Sequence, residues 1–444
     1  MIDNNQPKEE SVMELQLEYS LTDKSGQAET KKALAQITAE SLLLRPDLGE
    51  PIQLSWREIR QISEADYRIC LDLATDVKIW LFNLGYQYED FLKLISKFRN
   101  EMLLQDSLMT EAVKKSGVEA EFSYFDKNGQ ILSQGTAELR LYETALVIIP
   151  VKGDFIRITY GNLTEVKVAD YQMTIMTEEG NKIILAKMGE QLDSFQKILS
   201  ERISELALTV QSFFKEILPE ADALLVRQAA QLMKEGWAVN IKTLESLSPK
   251  LCPALEDKMA DFGMREEYDY LRSLADQEKI ALGFKRGLMG DLTGDYLWFL
   301  IPIYSADTKK PGNAIAMEAS TAQGSGKSTY FFRIFPRKTY RTVSDIKAVS
   351  QEVDGLIRTI NQAMTEINFR REPIYLSEEK LNEPEYLKYK LAVEKLPALR
   401  TLRSLFIGRV IHSSLEQWQA DVSDLLKFNV SETNDGQKWL KTEE

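Results

Sequence analysis

The chain has 444 residues, 44% of them hydrophobic and 28% charged, a balance that supports folded cores and excludes general disorder. That length accommodates two to four domains. Its net charge of −13 disfavours nucleic acid and anionic lipid as partners and favours basic proteins.

The acidity is uneven. Residues 1–216 hold 24 Lys+Arg against 35 Asp+Glu, whereas 217–444 hold 31 against 33. The longest apolar run, Tyr296–Tyr304, is far shorter than the roughly 18–20 residues that a membrane span needs. The N-terminal stretch MIDNNQPKEES lacks an apolar signal region, and two isolated cysteines, Cys70 and Cys252, fit a reducing compartment. A cytoplasmic location is the expectation.

The first half repeats itself. Shifted by 104 positions, residues 42–98 align with 146–202 without a gap and share 15 of 57 identities, where chance supplies roughly 3–4. Pro46/Pro150, Gly49/Gly153, Ala65-Asp66-Tyr67/Ala169-Asp170-Tyr171, Gly85/Gly189 and Phe91/Phe195 all match.

Each copy opens on period-two alternation, Leu15-Leu17-Tyr19-Leu21 in one and Val118-Ala120-Phe122-Tyr124 in the other. Turns follow at Asp23–Gly26 and Asp126–Gly129; the Asn-Gly pair in the second is a strong hairpin signal. More short strands come at regular spacing, including Ile52-Leu54-Trp56 and Tyr67-Ile69-Leu71-Leu73 with their counterparts Ile156-Ile158-Tyr160 and Tyr171-Met173-Ile175. Trp56, Tyr67, Tyr160 and Tyr171 admit two readings, the lining of a peptide groove or, favoured by their period-two placement, the core or inter-strand packing. Each copy then closes with a helix, whose apolar stripe is Phe91-Leu94-Ile95-Phe98 or Phe195-Ile198-Leu199-Ile203.

Antiparallel strands closed by one helix is the order of the pleckstrin-homology fold. The carrying stretches are IQLSWREIRQISEADYRICLDL and IRITYGNLTEVKVADYQMTIMTEEG, with the helices after them. Each copy resembles a pleckstrin-homology-like domain of the bacterial and GRAM type. The resemblance implies a β-sandwich or barrel over 1–104 and a second over 105–216, acting as interaction modules. Phosphoinositide-binding members cluster basic residues around the first hairpin; here single lysines, Lys24 and Lys127, each follow an aspartate, which argues against that ligand. Phenylalanines Phe91 and Phe195 stand in the terminal helices where eukaryotic signalling members carry tryptophan. Tandem acidic domains of this fold also occur in the histone chaperone FACT, where they bind basic proteins, an analogy of fold alone.

No family resemblance is read in residues 217–444. Residues 217–280 read as a helical segment, with a helix from Pro219 to Gly236 carrying Leu225, Ala229 and Leu232 on one face, then helices near 241–262 and 265–276. Residues 281–444 read as an antiparallel meander (280–285, 296–304, 314–319, 329–335) followed by helices. The helix through Ile346, Val349, Val353, Leu356, Ile360, Ala363 and Ile367 has a heptad-like stripe, read as packing on its own sheet. Two or three helices broken at Pro397 occupy 383–428. The fold class expected for the whole is α+β.

Chemistry-bearing motifs are few. Gly324-Ser325-Gly326-Lys327-Ser328-Thr329 invites a P-loop reading in which Gly326, Lys327 and Ser328 would hold a nucleotide. Thr321 occupies the place of the first glycine, and the following YFFRIF reads as strand, so helix-terminus amides for phosphate are absent and a glycine-rich hairpin is the simpler reading. His412 is the only histidine and beside two distant cysteines supports no metal site; a structural place near a helix end is expected. The pairs Glu266-Glu267 and Glu378-Glu379 read as solvated surface. No catalytic residue, cofactor or metal is expected. The reading is a non-enzymatic scaffold that binds a protein, with a basic partner favoured by the acidity, and with a peripheral membrane module and a nucleotide-binding protein as the alternatives.

Overall fold

Alternating apolar residues build the first sheet from β1 (Met13–Thr22), β2 (Thr30–Ile37), β3 (Ser41–Pro46), β4 (Ile52–Ser55), β5 (Ile59–Ala65), β6 (Arg68–Leu73) and β7 (Lys78–Phe82), before helix α1 (Tyr88–Asp106). The second sheet uses β8 (Lys115–Phe125), β9 (Ile131–Leu141), β10 (Ala145–Pro150), β11 (Ile156–Thr159), β12 (Leu163–Ala169), β13 (Gln172–Thr177) and β14 (Lys182–Ala186), before helix α2 (Gln191–Ile217). Both sheets are antiparallel with the same order, β4-β3-β2-β1-β7-β6-β5 and β11-β10-β9-β8-β14-β13-β12. Each sheet is followed by one helix, as the order of apolar patterns in the two copies leads one to expect.

The structure is a computed structural model that describes residues 11–22, 29–106, 111–275, 277–287, 294–305, 307, 310–321, 328–342 and 346–431. It divides into two compact units, one of residues 1–109, 113–158 and 163–195, the other of 110–112, 159–162 and 196–444. The first hairpin turn, including Lys24, lies outside the described residues.

The repeat seen in sequence is a repeat of backbone. Ile52 and Ile156, Arg68 and Gln172, and Lys78 and Lys182 open matching strands, which keeps the shift of 104. The first strand slips by one: Leu21 faces Ile79, whereas Tyr124 faces Ile183, a shift of 103. A one-residue difference in the intervening hairpin absorbs this without moving any side chain to the opposite face. In the first repeat Leu15, Leu17, Ile37, Leu44, Trp56, Ile69 and Ile79 are buried with Phe91, Leu92 and Ile95 of α1. Complete burial of a side chain such as Phe91 stabilises by about 1.5–3 kcal/mol.

Helix α1 also reaches the second repeat. Arg99 is only 2% exposed and donates to the Ile59 and Arg60 carbonyls and to Asp154. Asn100 donates to the Gly153 carbonyl at 3.0 Å and accepts from the Phe155 amide at 3.1 Å. Two polar side chains thus join the repeats, each with hydrogen-bond partners, as burial requires.

The second unit adds α3 (Ala223–Leu232), β15 (Ala238–Asn240), α4 (Ile241–Leu247), α5 (Leu251–Asp261) and α6 (Arg265–Leu274). The meander follows as β16 (Ala281–Gly287), β17 (Gly294–Ile303), β18 (Ala314–Thr321) and β19 (Ser328–Arg333). After it come α7 (Arg337–Thr342), α8 (Ile346–Glu366), α9 (Glu372–Tyr375), α10 (Glu378–Leu381), α11 (Leu387–Lys395), α12 (Pro397–Leu405), β20 (Phe406–Ile411) and α13 (Leu415–Val430). The sheet order is β15-β16-β17-β18-β19-β20, antiparallel throughout. The protein is α+β. No helix among the described residues is long and apolar enough to cross a membrane.

Three local expectations are corrected. The helix expected from Pro219 starts at Ala223, because Asp222 caps it by accepting from the Leu225 amide at 2.8 Å. The helix expected over 241–262 is two, α4 and α5, separated around Ser248 and Pro249. Residues 406–411, expected to be helical, form edge strand β20, and Ala238–Asn240 adds a strand at the opposite edge. On β15 the Asn361 amide of α8 pairs with both the N–H and the C=O of Ala238, at 2.8 and 3.0 Å. That clamp satisfies backbone groups an edge strand leaves open. The stripe is buried within its own chain at Val349, Val353, Leu356, Ile360 and Ala363 of α8 and at Ile367 just after it.

Candidate protein-binding surface

The four aromatics expected in the core part company. Trp56 is fully buried and donates from Nε1 to the Ala39 carbonyl at 3.0 Å, and Tyr160 is buried as well. Tyr67 and Tyr171 are 84% and 88% exposed, contrary to the expectation. The strands end at Ala65 and Ala169, and Asp-Tyr forms the hairpin turn in both repeats. Asp66 and Tyr67 have φ of 51° and 58°, and Asp170 and Tyr171 have 52° and 59°. Positive φ at both central residues is the geometry of a type I′ hairpin, which Asn-Gly adopts readily and tyrosine does not. A bulky residue in this region costs about 1–2 kcal/mol. Such strain kept at matching sites of two repeats marks these tips as functional candidates.

Their surroundings differ. In the first repeat Tyr67 meets Tyr88 edge-on, with ring centroids 5.9 Å apart. The Tyr88 hydroxyl donates to Glu64 at 3.0 Å, and Lys152 donates to the other oxygen of Glu64 at 2.8 Å. Burial, followed by the hydrogen bond to Glu64, pushes the Tyr88 phenol up to about 12. Glu64 is held below the usual carboxylate range chiefly by its hydrogen bond from Lys152. Tyr86 stands fully exposed nearby in sequence.

In the second repeat Tyr171 borders an open cleft of about 730 Å³. Glu121, Asp170, Glu190 and Asp193 contribute carboxylates, Leu192 an apolar wall, and Lys187 reaches across to Glu121 at 2.6 Å. Ring, apolar wall and anionic rim suit a cationic side chain. Another cleft, of about 610 Å³, sets Lys93, Lys97 and Lys152 against Glu119 and Glu138 and so favours neither charge.

The nucleotide-loop candidates fare differently. Gly326 and Lys327 lie outside the described residues, and Ser328 is the buried first residue of β19, paired with Ile411. A strand therefore follows the loop, as its apolar run indicates. Among the described residues no cluster of His, Cys, Asp and Glu suits a metal ion.

His412 has more partners than a structural place near a helix end suggests. Its Nδ1 lies 3.1 Å from Glu267 of α6, and its Nε2 lies 3.1 Å from Glu318 of β18. Thr329 donates to Glu318 at 2.7 Å, and the Trp418 indole donates to Thr329 at 3.2 Å. Glu267, expected to be solvated, is thus part of a largely buried network, while Glu378 stays exposed and pairs with Arg403 at 3.0 Å. Burial lowers the imidazole pKa, but the carboxylates of Glu267 and Glu318 held against the two ring nitrogens override it and raise its pKa to about 9. The network is a charged clasp between elements.

No protein-family model matches this chain, and no curated protein matches it. Among solved structures it is similar to one described as "Structure of the Spt16D Pob3N heterodimer", at 14% identity and a TM-score of 0.16. That match spans 38% of this chain and 85% of the other.

Proposed function

We propose that this chain is a non-enzymatic binding protein whose two repeats, of the bacterial pleckstrin-homology and GRAM type, dock a basic protein partner. The observation that carries the reading is the pair of tyrosines, Tyr67 and Tyr171, held exposed on strained turns at equivalent positions of a duplicated fold. Exposed aromatic anchors supply much of the energy of protein interfaces, and the acidic excess of residues 1–216 supplies long-range attraction for a basic partner. A cytoplasmic setting accords with the two free, buried cysteines.

The test is affinity capture from source-cell lysate with the full chain and with its Tyr67→Ala/Tyr171→Ala variant. The expected result is a basic protein that elutes at moderate salt and whose recovery falls at least fivefold on the variant. Equal recovery on both chains, or retention of no macromolecule, overturns the reading.

A further inference from the structure

The two repeats differ at one row of their sheets, and the difference shows what the open cleft lacks. In the first repeat β1, β7 and β6 set Glu18 opposite Phe82, and Arg68 lies at the start of β6 beside Phe82. The Arg68 guanidinium sits over the Phe82 ring, 5.9 Å from its centroid. In the second repeat the same row is Glu121, Ala186 and Gln172, with Glu121 opposite Ala186. Phenylalanine has become alanine and arginine has become glutamine, while the glutamate is retained. Ala186, Gln172 and Glu121 all line the 730 Å³ cleft. The hollow is thus the space that a ring and a guanidinium fill in the other copy.

The rim has changed as well. Position 86 of the first repeat is tyrosine, and its equivalent in the second is Glu190, which adds a carboxylate beside Asp193 and Asp170. We infer that the cleft beside Tyr171 accepts an arginine side chain of a protein partner, its guanidinium against the Tyr171 ring and the carboxylate rim. This rests on the docking reading above and names the residue docked. Arginine is favoured over lysine because its planar guanidinium lies on aromatic faces and pairs with a carboxylate through two parallel hydrogen bonds. Lys187, which now reaches Glu121, gives way at little cost, since both partners are more than half exposed and such ion pairs contribute about 0–1 kcal/mol.

The experiment is a fluorescence-anisotropy titration of labelled hexa-arginine and hexa-lysine peptides with the full chain. Three chains are compared: the natural one, Gln172→Arg/Ala186→Phe, and Glu190→Gln/Asp193→Asn. The first variant rebuilds the filled row of the other repeat. The second removes rim charge at exposed sites by near-isosteric changes, so that a folding failure of the first cannot mask the answer. Saturable hexa-arginine binding that weakens at least tenfold in both variants, with hexa-lysine weaker on the natural chain, is the expected result. Undiminished binding in the second variant, equal hexa-lysine affinity, or no binding by the natural chain overturns the inference. The docking reading fails separately: a captured partner that survives Gln172→Arg/Ala186→Phe leaves it standing without the arginine cleft, and loss of partner and peptide alike on the natural chain removes both.

Discussion

His412 Nε2 lies 3.1 Å from Glu318 Oε2, so the only histidine of the chain is joined to a carboxylate with no exposed surface. Glu267 completes the pair of anions, and Thr329 and Trp418 close the network from β19 and α13. A histidine whose folded pKa of about 9 exceeds its ordinary 6.5 stabilises the fold fully below pH 6.5 and loses that contribution as pH rises through 9. Chemical denaturation from pH 6 to 10 should show a loss of about 2 kcal/mol, after allowance for solvent screening, that is missing in His412→Gln. A pH-independent difference between the two chains would show that the imidazolium is not the source.

The strained tips make a different forecast. Replacing Asp170-Tyr171 by Asn-Gly relieves about 1–2 kcal/mol of left-handed strain and returns part of it as unfolded-chain entropy. The variant should be more stable by about 0.5–1 kcal/mol in urea titration yet bind the partner less well. Lower stability would mean that the Tyr171 ring makes packing contacts that its 88% exposure denies.

Arg99 offers a test of how the repeats are joined. Arg99→Met removes the hydrogen bonds that the guanidinium gives to the Ile59 and Arg60 carbonyls and to Asp154, for an expected cost of about 3 kcal/mol. The equivalent of Arg99 in the second repeat is Ile203, so the duplication does not repeat this contact. Proteolysis should become faster between the repeats, and an unchanged unfolding midpoint would contradict the assignment.

The buried ion pair of Lys285 and Glu235, 2.8 Å apart and 4% and 6% exposed, gives the last prediction. Lys285→Met strands the Glu235 charge and should cost about 3–5 kcal/mol, whereas Lys285→Met/Glu235→Gln should recover most of that loss. Thermal unfolding of the three chains separates stranded charge from lost packing; equal losses in both variants would favour packing.

Much of this was legible in the residues. The 104-residue repeat located the two sheets and their helices, because identical spacing of apolar side chains demands identical pairing. The meander of β16–β19 was legible for a similar reason, since long apolar runs such as Tyr296–Tyr304 admit burial on both faces. Strand β20 was not: Leu402, Phe406, Ile407 and Val410 fit helical spacing, and only the open edge of β19 makes the strand the better-paired choice.

The site was less legible than the fold. Tyr67 and Tyr171 continue the period-two pattern of Ile69 and Met173, so local reading turns them inward; the backbone reverses one residue earlier and turns them out. Asp-Tyr lacks the Asn-Gly signature, and the shared Ala-Asp-Tyr was the available hint. The cleft was visible only as Phe82 against Ala186 and Arg68 against Gln172, substitutions that mean nothing until the three strands stand side by side. The sequence alone therefore determined the duplication, the sheets and the acidic character, all set by composition and local periodicity. Only the tertiary structure decided which tyrosines face solvent, where the duplicated surface is hollow and what His412 holds, because those depend on contacts between residues far apart along the chain.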